Sequence, residues 1–204
     1  MIKAATGFPP VVDAGIETLI LGSFPSIASL GKAQYYGHPQ NHFWRLVGAI
    51  IGEPLPDMDY EERKRALLRH RIGLWDIIGA CARKGSLDSN IRDPRHNDFS
   101  RVTSVARKLR RVCFNGQTAG RMEPLFVEWG YETIVLPSSS PANTMRFDAK
   151  LEQWRQIIVP ERAATHTVDH SRSGRRWKIG ADCGDRAAGR AAWLFRHLAI
   201  SRGD

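Results

Sequence analysis

The segment YYGHPQNHFW, residues 35–44, places aromatic rings beside amides and imidazoles, without an acidic residue, a lysine or an arginine. Tyr36 and His38 offer flat faces for stacking, and the amides of Gln40 and Asn41 can read the polar edge of a heterocycle. A surface loop is rarely so aromatic, and a core strand rarely holds His-Pro-Gln-Asn-His. The pattern predicts a site for a planar, polar ligand.

Two further segments, GSFPS at 22–26 and PSSSPAN at 137–143, follow apolar runs and expose backbone N–H groups. Such turns hold phosphates without adding charge. The net charge of +9 also favours a polyanionic partner. Together these features indicate a nucleobase taken out of a nucleic-acid stack. A nucleotide-binding or small-molecule hydrolase remains an equal alternative, although no G-x-S-x-G elbow and no Ser-His-Asp set can be placed.

The elements that must position these residues alternate along the chain. Short apolar runs predict strands, and segments with helical periodicity lie between them. The stretch 80–97 reads as irregular and polar. The alternation predicts parallel βαβ units and an α/β fold, a three-layer α/β/α sandwich with a central four-stranded parallel sheet. The predicted strands are 17–25, 72–78, 111–116 and 132–143, and the predicted helices are 41–52 with an Asn cap, 59–70, 99–110, 117–130 interrupted near Pro124, 149–158 and 184–200.

The strand ends predict where the ligand binds. In such folds ligands lie in the crevice at the carboxyl ends of the strands. Asp76, Asn115 and the two Gly/Ser/Pro segments each stand at or just after the end of a predicted strand. We therefore expect one crevice to collect all of them.

Length and composition bound the rest of the interpretation. The 204 residues predict one domain, 1–204, within which 160–183 is expected to be a mobile basic loop. The three cysteines are far apart and form no CxxC, so we expect no metal site, iron–sulfur cluster or disulfide framework. No signal peptide or membrane span of ~20 apolar residues is recognisable. We expect a cytoplasmic monomer without a cofactor.

The order of these segments resembles the uracil-DNA glycosylase superfamily over about residues 18–147. GSFPS lies where that superfamily carries its water-activating loop, and SSSPAN at 138–143 is similar to its second motif. The HPxNxFW element is similar to that of the mismatch-specific uracil-DNA and thymine-DNA glycosylase branch. Together with the segments GLWDII, GSLDSNIRD and NGQTA, this set of motifs looks closest to the hypoxanthine-DNA glycosylase (family 6) branch.

The resemblance implies a monofunctional DNA glycosylase that flips a deaminated base out of single- or double-stranded DNA. The enzyme then hydrolyses the N-glycosidic bond and leaves an abasic site for base excision repair. Uracil is slightly favoured as the substrate, with hypoxanthine next. A hypoxanthine-specific glycosylase and a non-catalytic basic DNA-binding module of the same fold are the alternatives.

The resemblance also implies a role for each matching residue. Tyr36 stacks on the flipped base, and Asn41 is needed for catalysis. Phe24 occupies the place of the usual water-polarising residue, which leaves Asn41, Asp76 and the backbone near Ser23 to hold the water. Ser138 occupies the place of the histidine that stabilises the departing base, which leaves His38 or backbone N–H groups of the GSFPS loop to do so. The predicted site residues are Asn41, Asp76 and Ser23 for catalysis, Tyr36, Phe24, His38, Asp76, Ser138 and Asn115 for the base, and Ser139, Ser140, Pro141, Ala142, Asn143, Arg146 and Lys84 for DNA.

Overall fold

The structure is a computed structural model that describes residues 4–159. The predicted basic loop at 160–183 and the predicted helix at 184–200 lie outside the described residues. The described part contains seven strands that form two separate sheets. They are β1 (Ala4–Thr6), β2 (Thr18–Gly22), β3 (Ile72–Asp76), β4 (Ile78–Arg83), β5 (Ile91–His96), β6 (Arg111–Asn115) and β7 (Glu132–Leu136).

Helices connect the strands of the larger sheet. No helix among residues 4–159 is both long and apolar enough to cross a membrane. Short 3-10 turns cover Leu55–Asp57, Asp88–Asn90 and Arg155–Ile157. The α-helices of the described residues are α1 (Ile27–Lys32), α2 (Phe43–Ile51), α3 (Tyr60–Arg69), α4 (Ser100–Thr103), α5 (Gln117–Gly120), α6 (Glu123–Glu128) and α7 (Phe147–Trp154).

The larger sheet is the predicted four-stranded parallel sheet, in the order β3-β2-β6-β7. Every residue of β2 and β3 is buried, as expected for central strands covered on both faces. In the β2–β3 pair, Gly22 stands opposite Asp76, so these two strands end side by side. The structure thus confirms the predicted fold class and strand composition.

Aromatic clusters cover both faces of this sheet. On one face, Phe114 of β6 packs against Phe126 of α6 with ring centroids 5.5 Å apart. Side chains alternate along a strand, so Asn115 points to the opposite face. There it contacts Tyr36, which stacks on Phe43 of α2. Phe43 in turn meets Trp154 of α7. Helices therefore lie on both faces, which is the predicted three-layer arrangement.

A second sheet occupies the region that the sequence analysis describes as irregular. Strands β1, β4 and β5 form an antiparallel three-stranded sheet in the order β1-β4-β5. The prediction for 80–97 is wrong because β5, with the sequence IRDPRH, exposes all but its first residue and so shows no apolar periodicity. Pairing shifts within β4–β5 further interrupt any regular pattern.

Several helix boundaries also differ from the predictions. The helix predicted at 99–110 is only α4, and irregular turns follow it. The cap residue of α2 is His42 rather than Asn41. Asn41 still hydrogen-bonds the start of α2, because its Oδ1 accepts the backbone N–H of Phe43 at 2.9 Å. The helix predicted at 149–158 is α7 followed by a 3-10 turn.

Candidate active site

A cavity of about 650 Å³ opens at the carboxyl end of the parallel sheet. The last residue of each of the four parallel strands lines this cavity. The volume lies within the range of small-molecule sites in proteins. The single crevice expected from the sequence is therefore present. The four strand-end residues are Gly22, Asp76, Asn115 and Leu136.

Tyr36 lines the cavity and is held on two sides. Its ring stacks on Phe43 at a centroid distance of 3.9 Å and an interplanar angle of 16°. Its backbone has φ 52°, an uncommon value for a residue with a side chain, which indicates that the surroundings hold it there. Burial raises the pKa of its phenol, so the hydroxyl stays neutral. One ring face is thus occupied by protein, as a rigid platform for a base requires.

We call Asn115, Tyr36 and Ser139 the Asn115 network. The Asn115 Nδ2 donates to the Tyr36 hydroxyl at 3.0 Å and to the Ser139 Oγ at 2.8 Å. Its Oδ1 accepts the Ser139 N–H at 2.8 Å. Asn115 was predicted to read the base, but these bonds already use both ends of its amide. The structure places it as the support of Tyr36.

Asn41 lines the cavity from the segment that leads into α2. Its backbone N–H donates to the His38 carbonyl at 2.9 Å, and the next residue, His42, donates to the Ser139 carbonyl at 3.0 Å. These bonds tie the segment to the loop after β7. Because the Oδ1 of Asn41 accepts the Phe43 N–H, the amide group is oriented before any substrate arrives.

We call Asp76, Asp88, Arg83 and Ser23 the Asp76 cluster. Asp76 is 4% exposed, and its Oδ2 is buried without a hydrogen bond. Burial first and the charge of Asp88 second raise the pKa of Asp76 to about 8, against a smaller opposing effect of Arg83. A glycine is required at position 22, since a Cβ there would lie 2.4 Å from the Asp76 Oδ1.

Asp88 was not predicted as a site residue. It lies in the connection between β4 and β5 and accepts the Ser23 hydroxyl at 2.7 Å. Arg83 of β4 stands nearby, with its Nη1 3.9 Å from the Asp88 Oδ1, and it bonds the Pro25 carbonyl and covers the Phe24 ring. The only signal for Asp88 in the sequence is its place in the GSLDSNIRD segment. Nothing in the residue spacing shows that the second sheet carries Asp88 to the cavity.

The loop after β7 forms the opposite wall, and Ser138, Ser140, Ala142 and Asn143 line the cavity. Ser139 requires a correction, because it was predicted to contact DNA. It is fully buried, and both its N–H and its Oγ are bonded to Asn115. Its place is therefore structural.

The remaining predicted residues do not line the cavity. His38 was predicted to contact the base, but its Nδ1 accepts the Gln40 N–H at 3.2 Å within its own turn. Lys84, Pro141 and Arg146 are exposed, and their contact with DNA stays a prediction. Lys150 of α7 stabilises the nearby loop, since its buried Nζ donates to the Asn143 carbonyl at 2.8 Å.

Metal-binding side chains are not grouped in this region. Among residues 4–159, no cluster of three or more His, Cys, Asp or Glu side chains is arranged to hold a metal ion. The two cysteines of the described part, Cys81 and Cys113, are buried and unbridged. Burial raises the pKa of Cys113 to about 12, which makes its thiol a poor nucleophile.

Comparison with known proteins identifies the family. The sequence profile of the Uracil DNA glycosylase superfamily matches residues 9–160. The solution NMR structure of a Methanosarcina acetivorans protein described as a candidate uracil DNA glycosylase is similar, with a TM-score of 0.69 and 50% identity. This similarity covers 76% of the present chain and 99% of that one.

Two curated relatives carry the same name, "Hypoxanthine DNA glycosylase". The protein from Methanosarcina acetivorans is 52% identical over 158 residues, which are 78% of this chain and 99% of the relative. The protein from Methanosarcina barkeri is 47% identical over 152 residues, which are 74% of this chain and 96% of the relative. The chain therefore belongs to the uracil DNA glycosylase superfamily and is a DNA glycosylase.

Proposed function

We propose that this protein is a monofunctional DNA glycosylase that removes hypoxanthine from DNA and acts on uracil less readily. The observation that carries the proposal is the cavity, in which the Tyr36 ring, the Asn41 amide and the Asp76 carboxyl meet at the ends of the parallel strands. Excision of hypoxanthine is preferred to the uracil activity favoured by the sequence because both curated relatives are named for hypoxanthine.

Tyr36 is the proposed base platform. Its stacking on Phe43 and its hydrogen bond from Asn115 fix the ring before the substrate binds. Stacking of a base on an aromatic ring contributes roughly 1–3 kcal/mol and tolerates different bases. A fixed ring loses little conformational entropy on binding, so more of this contribution remains as affinity.

Asn41 is the proposed holder of the hydrolytic water. Phe24 has no polar atom with which to polarise water, and the Ser23 hydroxyl donates to Asp88. The Asn41 amide lines the cavity in an orientation set by the Phe43 N–H. A carbonyl oxygen has two lone pairs, so the Asn41 Oδ1 can also accept from water, and its Nδ2 remains a donor.

The reaction requires little more than positioning and charge stabilisation. As the N-glycosidic bond breaks, positive charge develops on the sugar, where DNA phosphates stabilise it, and negative charge develops on the departing base. Water adds its oxygen to the sugar, and the base leaves with a proton. No lysine is among the residues that line the cavity within the described chain, so Schiff-base chemistry and strand cleavage are not part of the proposal.

The decisive experiment uses matched oligonucleotides that carry one hypoxanthine, uracil or adenine, in single- and double-stranded form, followed by alkali. We expect abasic product from hypoxanthine, less from uracil and none from adenine. Efficient excision of uracil without excision of hypoxanthine would show that uracil, and not hypoxanthine, is the substrate. If no oligonucleotide gives abasic product, the proposal of an enzyme is contradicted and the alternative of a non-catalytic DNA-binding module is favoured.

A parallel incubation with free inosine separates the remaining rival. A nucleoside hydrolase would release hypoxanthine from inosine as readily as from DNA, whereas the proposed enzyme needs the phosphates of a DNA strand. We therefore expect no release from the nucleoside. Binding to undamaged DNA, measured at increasing salt, reports the contribution of the basic surface independently of the chemistry.

A further inference from the structure

The carboxyl group of Asp76 enters the cavity incompletely paired. It stands at the end of β3, almost fully buried, and its Oδ2 has no hydrogen bond. A buried polar atom without a partner costs free energy unless a ligand completes it. The polar edge of a bound molecule is therefore expected against the Asp76 carboxyl group where it lines the cavity.

Charged and titratable groups face Asp76 from several elements. Asp88 of the β4–β5 connection and Arg83 of β4 act on Asp76 through their charges, and the Tyr35, Tyr36 and Tyr60 phenols are close enough for the charge of Asp76 to act on them. Arg83 forms no close ion pair with Asp76, since its guanidinium bonds the Pro25 carbonyl and covers Phe24. Burial of Asp76 first, and the negative charge of Asp88 second, favour the neutral form of the Asp76 carboxyl group, and Arg83, which lies 3.9 Å from the Asp88 Oδ1, opposes this only in part.

We propose that Asp76 acts as a neutral carboxylic acid that binds the lactam edge of the flipped base, an inference that rests on the proposed function. A carboxylic acid presents an O–H donor beside a carbonyl acceptor. The lactam edge of hypoxanthine or uracil presents a carbonyl oxygen beside an N–H. The two match in a pair of parallel hydrogen bonds, whereas a carboxylate would repel the carbonyl oxygen.

The same donor stabilises the leaving group. When the N-glycosidic bond breaks, its electron pair stays with the base, and negative charge spreads to the carbonyl oxygen that the Asp76 O–H contacts. No covalent bond forms at Asp76, because water supplies the oxygen for the sugar and the proton for the base. A preorganised donor aimed at developing charge contributes about 10²–10³-fold in rate. Asp76 is then a catalytic residue in its protonated form.

The test is a set of single-turnover pH–rate profiles on the hypoxanthine oligonucleotide. Because the pKa of Asp76 is raised to about 8, the wild-type rate should fall about tenfold per pH unit above that pH. Asp76→Asn keeps a donor beside an acceptor and cannot ionise, so the alkaline decrease should disappear. Asp76→Ala should lose about 10²-fold in rate below about pH 8, and the difference from the wild type should shrink at higher pH as Asp76 ionises.

Two further variants test the cause of the pH dependence. Asp88→Asn removes the negative charge that helps to keep the proton on Asp76, so the alkaline decrease should move to lower pH. Asp148→Asn changes an exposed aspartate of α7 outside the cavity and should leave the profile where it is. An alkaline decrease that persists in Asp76→Asn, or wild-type rates in Asp76→Ala, would overturn the proposal.

Binding of free hypoxanthine, measured by calorimetry, separates this proposal from the proposed function. If no oligonucleotide is cleaved, the glycosylase proposal fails, and binding then decides the role of Asp76. Wild-type affinity that is lost above about pH 8, with pH-independent affinity in Asp76→Asn, supports the neutral acid. Binding by the wild type that does not change with pH, or no binding at any pH, overturns it.

Discussion

Two polar groups that line the cavity differ in how completely they are hydrogen-bonded. In the Asn115 network, both ends of the Asn115 amide have protein partners, and the Ser139 side chain and N–H are bonded. In the Asp76 cluster, the Asp76 Oδ2 and the Arg83 Nη1 are buried without hydrogen bonds. Asp76 ends β3 and Asn115 ends β6, the two strands that flank β2 in the same sheet. The difference in hydrogen bonding therefore does not arise from how deeply the two residues are buried alone.

The difference separates support from chemistry. A network in which each member has a protein partner rigidifies the side chain that it holds, here Tyr36. An incompletely bonded group stores an unfavourable free energy that a ligand of the right polarity relieves. We therefore expect variants of the Asn115 network to change stability first, and variants of the open groups to change catalysis first.

The largest expected effect is at Asn41, which combines both behaviours in one amide. Asn41→Ala should lower the single-turnover rate on hypoxanthine DNA by about 10²–10³-fold. The free energy of unfolding should fall by only about 1 kcal/mol, for the lost bond to the Phe43 N–H. Quenched-flow kinetics and urea unfolding measure the two effects.

Asn41→Asp is the matched control for this substitution. It preserves the acceptor for the Phe43 N–H and removes the Nδ2 donor, so it shows which end of the amide acts in the reaction. Near-wild-type rates in Asn41→Ala would contradict the assignment of the hydrolytic water to this residue.

The next largest effect is at Asn115. Asn115→Ala leaves the buried N–H of Ser139 without its acceptor and removes the donor to Tyr36. We expect the free energy of unfolding to fall by about 2–3 kcal/mol. Ser139→Ala removes only the Oγ contact and should cost about 1 kcal/mol. Equal effects of the two in urea unfolding would mean that the network is not organised around Asn115.

A third prediction concerns stability at the Asp76 cluster. The pKa of Asp76 rises from an ordinary 3.8 to about 8 on folding, so between these values the folded chain keeps a proton that the unfolded chain has lost. Its contribution to stability therefore falls as pH rises through this window, on the order of 1 kcal/mol per pH unit. Asp76→Asn does not titrate, so its stability relative to the wild type should increase from pH 5 to pH 8.

Chemical unfolding at several pH values measures this difference. The Asp148→Asn variant again provides the reference for an exposed aspartate. A difference between Asp76→Asn and the wild type that stays constant across the window would show that Asp76 ionises normally in the folded chain.

The smallest expected effect is at Met145, an exposed apolar side chain on the rim of the cavity. We propose that this side chain packs into the gap that a flipped nucleotide leaves in the duplex. Met145→Ala should weaken binding to lesion-containing duplex by roughly threefold, corresponding to part of one side chain's buried area. Val127→Ala, at an exposed apolar residue of α6 that does not line the cavity, is the control and should change nothing in the same fluorescence titration.

The sequence by itself determined the parallel sheet and the position of the cavity. Continuous apolar runs that end in glycine, aspartate or asparagine indicate buried parallel strands, and the carboxyl ends of such strands meet at one edge. That argument placed Asp76 and Asn115 correctly beside the GSFPS loop. It did not find the sheet of β1, β4 and β5, because the side chains of the edge strand β5 face solvent and leave no apolar periodicity in the sequence.

Only the tertiary structure decided which polar residues are satisfied and which remain open. Asn115 and Ser139 look like ligand-binding residues in the sequence, but their separation of 24 positions conceals that they bond each other. The second sheet brings Asp88 to Ser23 across 65 positions, and burial, together with the charge of Asp88, raises the pKa of Asp76. Hydrogen-bond partners and desolvation depend on distances through space, which residue types and spacing along the chain do not contain.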